Sequence, residues 1–293
     1  MTTANPEAVA AEKLRRKLSR KMLRTVTGYG LINPGDKIMV AVSGGKDSYT
    51  LLDLLWQAKQ RSPVPFDLVA VHLDQVQPGY DGRPLAEWLE AYGAPYELLR
   101  KDTYSVVKSV TPEGGTYCAP CSRFRRGILY EAAERLGCNK IALGHHRDDS
   151  LQTFLMNLFY SGKLQAMPAS YTTDDGRFDV IRPLIECAER DIAQHALNVG
   201  YPILPCNLCG SQSGLKRQSI EALLTRLEGE IPDVRTVMLA ALQNVRPSHL
   251  LDTKVAEAWA AFAEGETPAE AADEGCGGAP APRNPDLALP VIN

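Results

Sequence analysis

The chain has 293 residues, 44% of them hydrophobic, with seven cysteines and a formal charge of −3. That is enough chain for one large domain or two modest ones with a real core. Bulk charge does not announce nucleic acid. No apolar run reaches membrane-spanning length, and the polar N-terminus lacks the apolar core of a signal peptide. No membrane partner and a cytoplasmic address are therefore expected, where cysteines read as metal or thiol chemistry before disulfides.

Taken in order, residues 1 to about 10 read as unstructured. Residues 11–30 carry Leu14, Leu18, Met22, Leu23 and Val26 at helical spacing. Between them runs a basic stretch from Lys13 to Arg24 with no acid inside it, including Arg15, Arg16 and Arg20. It reads either as a solvated helix face or as an RNA-phosphate contact.

The stretch 39–49, Met-Val-Ala-Val-Ser-Gly-Gly-Lys-Asp-Ser-Tyr, follows. Strand residues run into a Gly-Gly turn and then at once into a helix. In that geometry the amides of Gly44, Gly45 and the first helical turn converge on one spot, an anion site. Glycine lets backbone approach a phosphate closely. Lys46 adds positive charge, and Ser43 and Ser48 add hydroxyls. Asp47 puts a negative charge where phosphate is expected, a conflict that Mg²⁺ between the two would resolve. The spacing is not that of the common nucleotide loop, which needs a glycine where Val40 stands. It is similar instead to SGGxDS, the pyrophosphate loop of the N-type ATP pyrophosphatases.

Strands are expected at 37–42, 66–73, 96–99, 140–143 and 180–184, and helices at 49–59, 85–92, 123–136, 149–160 and 189–199. The second strand ends in Asp74, at the carboxyl edge where α/β sheets bind ligands. Ala119-Pro120 reads as a turn. In the 149–160 helix, Leu151, Phe154, Leu155 and Leu158 are expected to face inward. The alternation predicts a doubly wound, mostly parallel α/β sheet. Two more helices are expected at 214–227 and 234–244, and from Glu264 the composition turns to Ala, Gly, Pro and acid. The chain thus divides into a basic helical segment (1–30), an α/β domain carrying an inserted cysteine pair (31–200), a second cysteine pair with helices (201–262) and a disordered acidic tail (263–293).

Cys118 and Cys121 form one two-spaced pair, and Cys206 and Cys209 another. Two such pairs are the usual ligand set for zinc or an iron–sulfur cluster. Cys138 and Cys187 stand alone and read as core. Arg123, Arg125 and Arg126 follow the first pair and read either as a solvated helix face or as charges that offset the thiolates and hold RNA phosphate. Gly144-His-His-Arg-Asp-Asp follows the fourth strand. There Asp148 and Asp149 read as helix caps or as a magnesium or adenosine contact. His145 and His146 read as hydrogen-bonded structural residues before zinc ligands.

The ordered set of SGGKDS, the Cys118/Cys121 pair, GHHRDD and PCNLCGSQ resembles the tRNA-cytidine(32) 2-sulfurtransferase family over about residues 14–252. The resemblance implies an adenine nucleotide alpha hydrolase-like fold with helical additions at both ends. It implies an ATP-dependent tRNA thiolase, converting cytidine 32 to 2-thiocytidine through an adenylated base and a cluster-bound sulfur. On that reading Ser43 to Ser48, Asp74 and Gly144 bind ATP, and Lys46, Asp47 and Asp149 are catalytic. A [4Fe–4S] cluster is held by Cys118, Cys121 and Cys209, with one iron open; Cys206, beside Pro205, reads as an auxiliary thiol or as simple packing. The implied partners are tRNA, a cysteine desulfurase as sulfur donor and a second copy of the chain. Lysidine- or 2-thiouridine-forming enzymes sharing the loop, and a zinc-stabilised RNA-binding module, are the alternatives.

Overall fold

The computed structural model describes residues 5–112, 117–204 and 212–263. In chain order its elements are α1 (Pro6–Gly28), β1 (Lys37–Ala41), α2 (Lys46–Arg61), β2 (Asp67–Asp74), α3 (Arg83–Tyr92), β3 (Tyr96–Arg100), α4 (Thr103–Val110), α5 (Cys118–Arg135), β4 (Lys140–Ala142), α6 (Arg147–Ser161), β5 (Ser170–Thr172), β6 (Asp179–Ile181), α7 (Glu189–Val199), α8 (Gln212–Glu230), α9 (Val234–Leu242), a 3-10 turn at Pro247–His249, and α10 (Thr253–Ala263).

The strand order is β3-β2-β1-β4-β6-β5. All pairings are parallel except β5 with β6. Side chains on a strand alternate between faces, and the core divides accordingly. Ile38 and Val40 of β1 join α1, α2, α3 and α7 on one face, whereas Met39 joins α5 on the other. The chain runs outward from β1 through β2 to β3, then returns to place β4 on the other side of β1. The carboxyl ends of β1 and β4 therefore flank the topological switch point, where open α/β sheets leave a ligand crevice.

The doubly wound sheet agrees with the sequence reading, and several local expectations are corrected. Helix α1 starts at Pro6 rather than near residue 11, because Asn5 accepts the Glu7 amide and Pro6 supplies a preset φ in the first turn. Ala119-Pro120 does not form a turn. It lies in the first turn of α5, where proline's missing N–H is one that no helical carbonyl would have received. Leu158 is exposed, not inward. Helices α4 and α10 and the edge strand β5 were not foreseen.

Candidate functional site

Between β1 and α2 the loop at residues 43–48 forms the nest that its glycines suggest. Gly44 sits at φ +85°, a left-handed conformation that glycine adopts without cost. Gly45 is the cap of α2 and offers no side-chain acceptor; the Ser48 amide turns to Gly45 O at 3.1 Å, which leaves the amides of Lys46 and Asp47 open to an external anion. The loop is braced by its serines. The Ser43 amide donates to Ser48 Oγ at 3.1 Å, and that hydroxyl donates to Gly45 O at 2.9 Å.

Lys46 Nζ lies 2.9 Å from Glu189 Oε1, at the start of α7, and 3.3 Å from Asp47. Burial alone would lower the ammonium's pKa, but Glu189 and Asp47 more than offset that, so it stays charged. Asp47 is pushed the other way: burial raises its carboxyl above the usual range, against the pull of His146 and Lys46. Asp47 Oδ1 is buried and accepts no hydrogen bond.

The loop after β4 closes on this site from the side. A Cβ at Gly144 would come within 3.0 Å of the Asp47 backbone, so only glycine permits the approach. His146 caps α6. Its Nδ1 accepts the Asp149 amide at 3.4 Å, and Asp149 Oδ2 accepts the His146 amide at 3.1 Å. With Nδ1 an acceptor, the donor nitrogen of the ring is Nε2, which lies 3.4 Å from Asp149 Oδ2 and 3.7 Å from Asp47 Oδ1. The structure thus brings Lys46, Asp47 and Asp149 together.

Asp148 is turned elsewhere. It accepts from Arg147 at 3.1 Å, from Arg235 at 2.9 Å and from the Glu189 amide at 2.8 Å. It is a structural hub and a cap for α7. His145 accepts from Arg182 Nε at 3.4 Å; burial and that guanidinium push it down to about 4, so it is neutral. Asp74 turns to the Val76 amide at 2.8 Å and to Arg100 at 3.6 Å.

A cleft opens from the loop across the ends of β1 and β2. Ser43, Gly45, His72, Gln75, Gln77, Tyr80, Arg125 and Leu204 line it; Asp74 does not. His72 Nδ1 meets Val42 O at 2.7 Å, and Tyr80 Oη meets His72 Nε2 at 2.5 Å. Burial lowers the His72 pKa, so the ring is neutral, with Nδ1 donating and Nε2 accepting. His72 and Tyr80 were missed from sequence. The available signal was a histidine inside the otherwise apolar run at 68–73, which a buried parallel strand has no reason to carry.

Cys118 and Cys121 stand three positions apart in the first turn of α5. Cys121 Sγ is 3.4 Å from Gln75 Oε1, and Gln75 lines the cleft. Arg125 lies on the cleft wall, while Arg123 and Arg126 are exposed. Cys206 and Cys209 lie outside the described residues. Cys138 and Cys187 are buried, and burial pushes the Cys187 thiol up to about 12, as fits core cysteines. On α1, Arg16 and Arg20 are exposed, but Arg15 is tied to Glu12 at 2.7 Å and to Gln57.

The model of the PP-loop domain family matches residues 12–202. The chain is 52% identical over 242 residues to a tRNA-cytidine(32) 2-sulfurtransferase of Paracidovorax citrulli, covering 83% of this chain and 78% of the relative. It is 49% identical over 281 residues to one of Sorangium cellulosum, covering 96% and 98%. Among solved structures, the U34-tRNA thiolase NcsA from Methanococcus maripaludis with its [4Fe-4S] cluster superposes with a TM-score of 0.64 at 22% identity, over 81% of each chain.

Proposed function

The chain belongs to the tRNA-cytidine(32) 2-sulfurtransferases of the PP-loop family, and we propose that its cleft spends ATP to exchange the 2-oxygen of a tRNA cytidine for sulfur. Its relatives select cytidine thiolation over lysidine formation, thiouridine formation and a zinc-stabilised RNA module. One observation carries the assignment of the site. The same cleft is bordered at one end by the 43–48 loop and at the other by Gln75, which Cys121 touches. Nucleotide activation and thiol chemistry thus meet in one crevice.

The reaction divides into two displacements. Cytidine O2 attacks the α-phosphorus of ATP, and the bond to the β-phosphate oxygen breaks with release of pyrophosphate. A sulfur nucleophile then attacks C2; the C2–O bond breaks and AMP leaves with the oxygen. The first step builds charge on the departing pyrophosphate. The open amides of the 43–48 loop and the Lys46 ammonium stabilise it. For Lys46 to do so it exchanges Glu189 for phosphate oxygen. The neutral His72–Tyr80 pair and the glutamines line the region beyond the phosphates, suited to the nucleoside. The target base of an anticodon loop is single-stranded and can be splayed into such a cleft.

Two bound groups fit the residues present. Asp47 Oδ1, buried without a hydrogen-bond donor, suits Mg²⁺. Asp47 and Asp149 would hold it, with His146 orienting the Asp149 carboxylate. Cys118 and Cys121 share one helical turn, and Cys121 touches the cleft residue Gln75; that pair suits an iron–sulfur cluster, with Cys209 as third ligand and Cys206 as auxiliary thiol. A [4Fe–4S] cluster with one open iron would present sulfur to the activated base. A cysteine desulfurase is the proposed sulfur source, a homodimer the working form, and the cytoplasm its compartment. No helix among the described residues is long and apolar enough to cross a membrane.

The test is anaerobic turnover with ATP, tRNA and sulfide, followed by nucleoside mass analysis of the tRNA. AMP, pyrophosphate and 2-thiocytidine at position 32 are expected in equal amounts. ATP cleavage to ADP, or thiolation at a uridine, would overturn the reading.

A further inference from the structure

The 43–48 loop is held in its anion-binding shape by a segment distant in sequence. The Leu204 amide donates to Gly44 O at 2.9 Å. Across a planar trans peptide the carbonyl and the following N–H point in opposite directions. Fixing Gly44 O toward Leu204 therefore turns the Gly45 N–H away from Leu204, into the loop, where its contact is a long one, 3.4 Å to Ser43 Oγ. An unbraced Gly-Gly peptide flips readily, because neither residue resists a change of φ or ψ. Flipped, it would aim a carbonyl oxygen at the phosphate site and repel an anion. The Leu204 side chain closes the same contact: a Cβ at Gly44 would lie 3.1 Å from Leu204 Cβ.

The brace is itself anchored. Tyr49 Oη donates to Pro202 O at 3.0 Å, and Tyr201 Oη donates to Asp53 Oδ2 at 2.8 Å. Tyr92 also donates to Asp53, at 2.6 Å, and the rings of Tyr49 and Tyr201 stack at 5.3 Å. Tyr49 and Asp53 belong to α2, the helix that the loop feeds. The helix holds the strap at 201–204, and the strap holds the loop at the head of that helix.

We infer that Leu204 is a positioning residue for the reaction: its backbone amide, tethered through Tyr201 and Pro202 to α2, orients the Gly44–Gly45 peptide so that the Gly45 amide faces the pyrophosphate. This rests on the reading of residues 43–48 as the ATP-phosphate loop.

Proline deletes a backbone N–H, so Leu204→Pro removes the donor, whereas Leu204→Ala keeps it. Affinities for pyrophosphate and for AMP are measured by calorimetry on the full chain, with melting curves as a check on folding. Leu204→Pro should weaken pyrophosphate about tenfold, the worth of one well-placed hydrogen bond. Leu204→Ala should weaken it by no more than about threefold, the low end of that range. AMP, which lacks the pyrophosphate, should move less than pyrophosphate in both. A general loss of structure would instead move both ligands together. Wild-type pyrophosphate affinity in Leu204→Pro, or equal losses in the two variants, would overturn the inference. Should Leu204→Pro fail to fold, Tyr49→Phe loosens the strap by one hydrogen bond. It should weaken pyrophosphate about threefold, and no change there would overturn the inference too. If the wild-type chain binds neither pyrophosphate nor ATP, the phosphate-loop reading fails and takes this inference with it.

Discussion

Asp47 is the residue whose chemistry runs against its surroundings. Burial holds its carboxyl above the ordinary carboxylate range, so the native state binds a proton there more readily than the unfolded chain does. The sign follows from linkage. Above both pKa values the ionised group costs stability, and the cost disappears as pH falls through the raised value. This is the reverse of a salt-bridged aspartate, and such strain at a site is a mark of function. Asp47→Asn should therefore leave the nucleotide-free protein as stable as wild type or more so near neutral pH. The same change should cut AMP formation at least about a hundredfold, since an amide replaces the carboxylate proposed to hold Mg²⁺ at the phosphates. Melting temperature and AMP release together check this. A fall in both would mean that Asp47 is a structural residue.

At the level of elements, α8 and α9 meet the sheet domain through a polar network centred on one buried guanidinium, with Gln152 donating to Glu221 at 2.9 Å and Gln243 to Glu186 at 2.7 Å beside it. Arg235 reaches Asp148 at 2.9 Å, Glu221 at 2.6 Å and Glu228 at 3.0 Å, while Leu151 and Leu155 of α6 pack on Ile220 and Leu224 of α8. Removing Arg235 takes one of three donors from buried Asp148, which keeps Arg147 and the Glu189 amide, and releases two part-exposed glutamates. Arg235→Ala should cost about 2 kcal/mol in urea unfolding, and a loss under about 0.5 kcal/mol would show that the remaining contacts dock these helices without it. None of this network was legible in sequence, because long-range ion pairs leave no periodicity. What was legible is local. The β1 and β2 runs and α7 showed in their apolar spacing, and the phosphate loop in six consecutive residues. The Asp148–Asp149 pair illustrates the limit. Sequence placed both at a helix start, where capping and cation binding want the same residue type. Only the fold separates them, sending Asp148 to Arg235 and Asp149 to His146. Pro120 misled for the opposite reason: proline punctuates turns and first helical turns alike.

Over the whole molecule the two basic segments prove to be on opposite faces of the sheet. Helix α1 packs with α2 and α7 on one face, and α5 packs on the other. Both were read as possible tRNA contacts, and their placement ranks them. Arg123 and Arg126 are exposed on α5, within two turns of Cys121, which touches the cleft residue Gln75, so on the proposed reading a tRNA that delivers a base there would pass over them. On α1 only Arg16 and Arg20 of the three expected arginines are exposed, and Arg16 is shared with Glu12 at 2.7 Å. With a net charge of −3, the protein has no general attraction for a polyanion, so we propose that local patches decide docking. Each phosphate deprived of its arginine should flatten the plot of log affinity against log salt by about 0.7 to 0.9. Reversing Arg123 and Arg126 to Glu should weaken tRNA binding at least tenfold at low salt, on the order expected for two such ion pairs, and reduce the slope by about 1.5. Reversing Arg16 and Arg20 should do less on both measures. Filter binding over a salt series checks this, with ATP affinity as the control for an intact cleft. A larger effect from the α1 pair would place the tRNA on the other face, and the base would then have to reach the cleft around the carboxyl edge of the sheet.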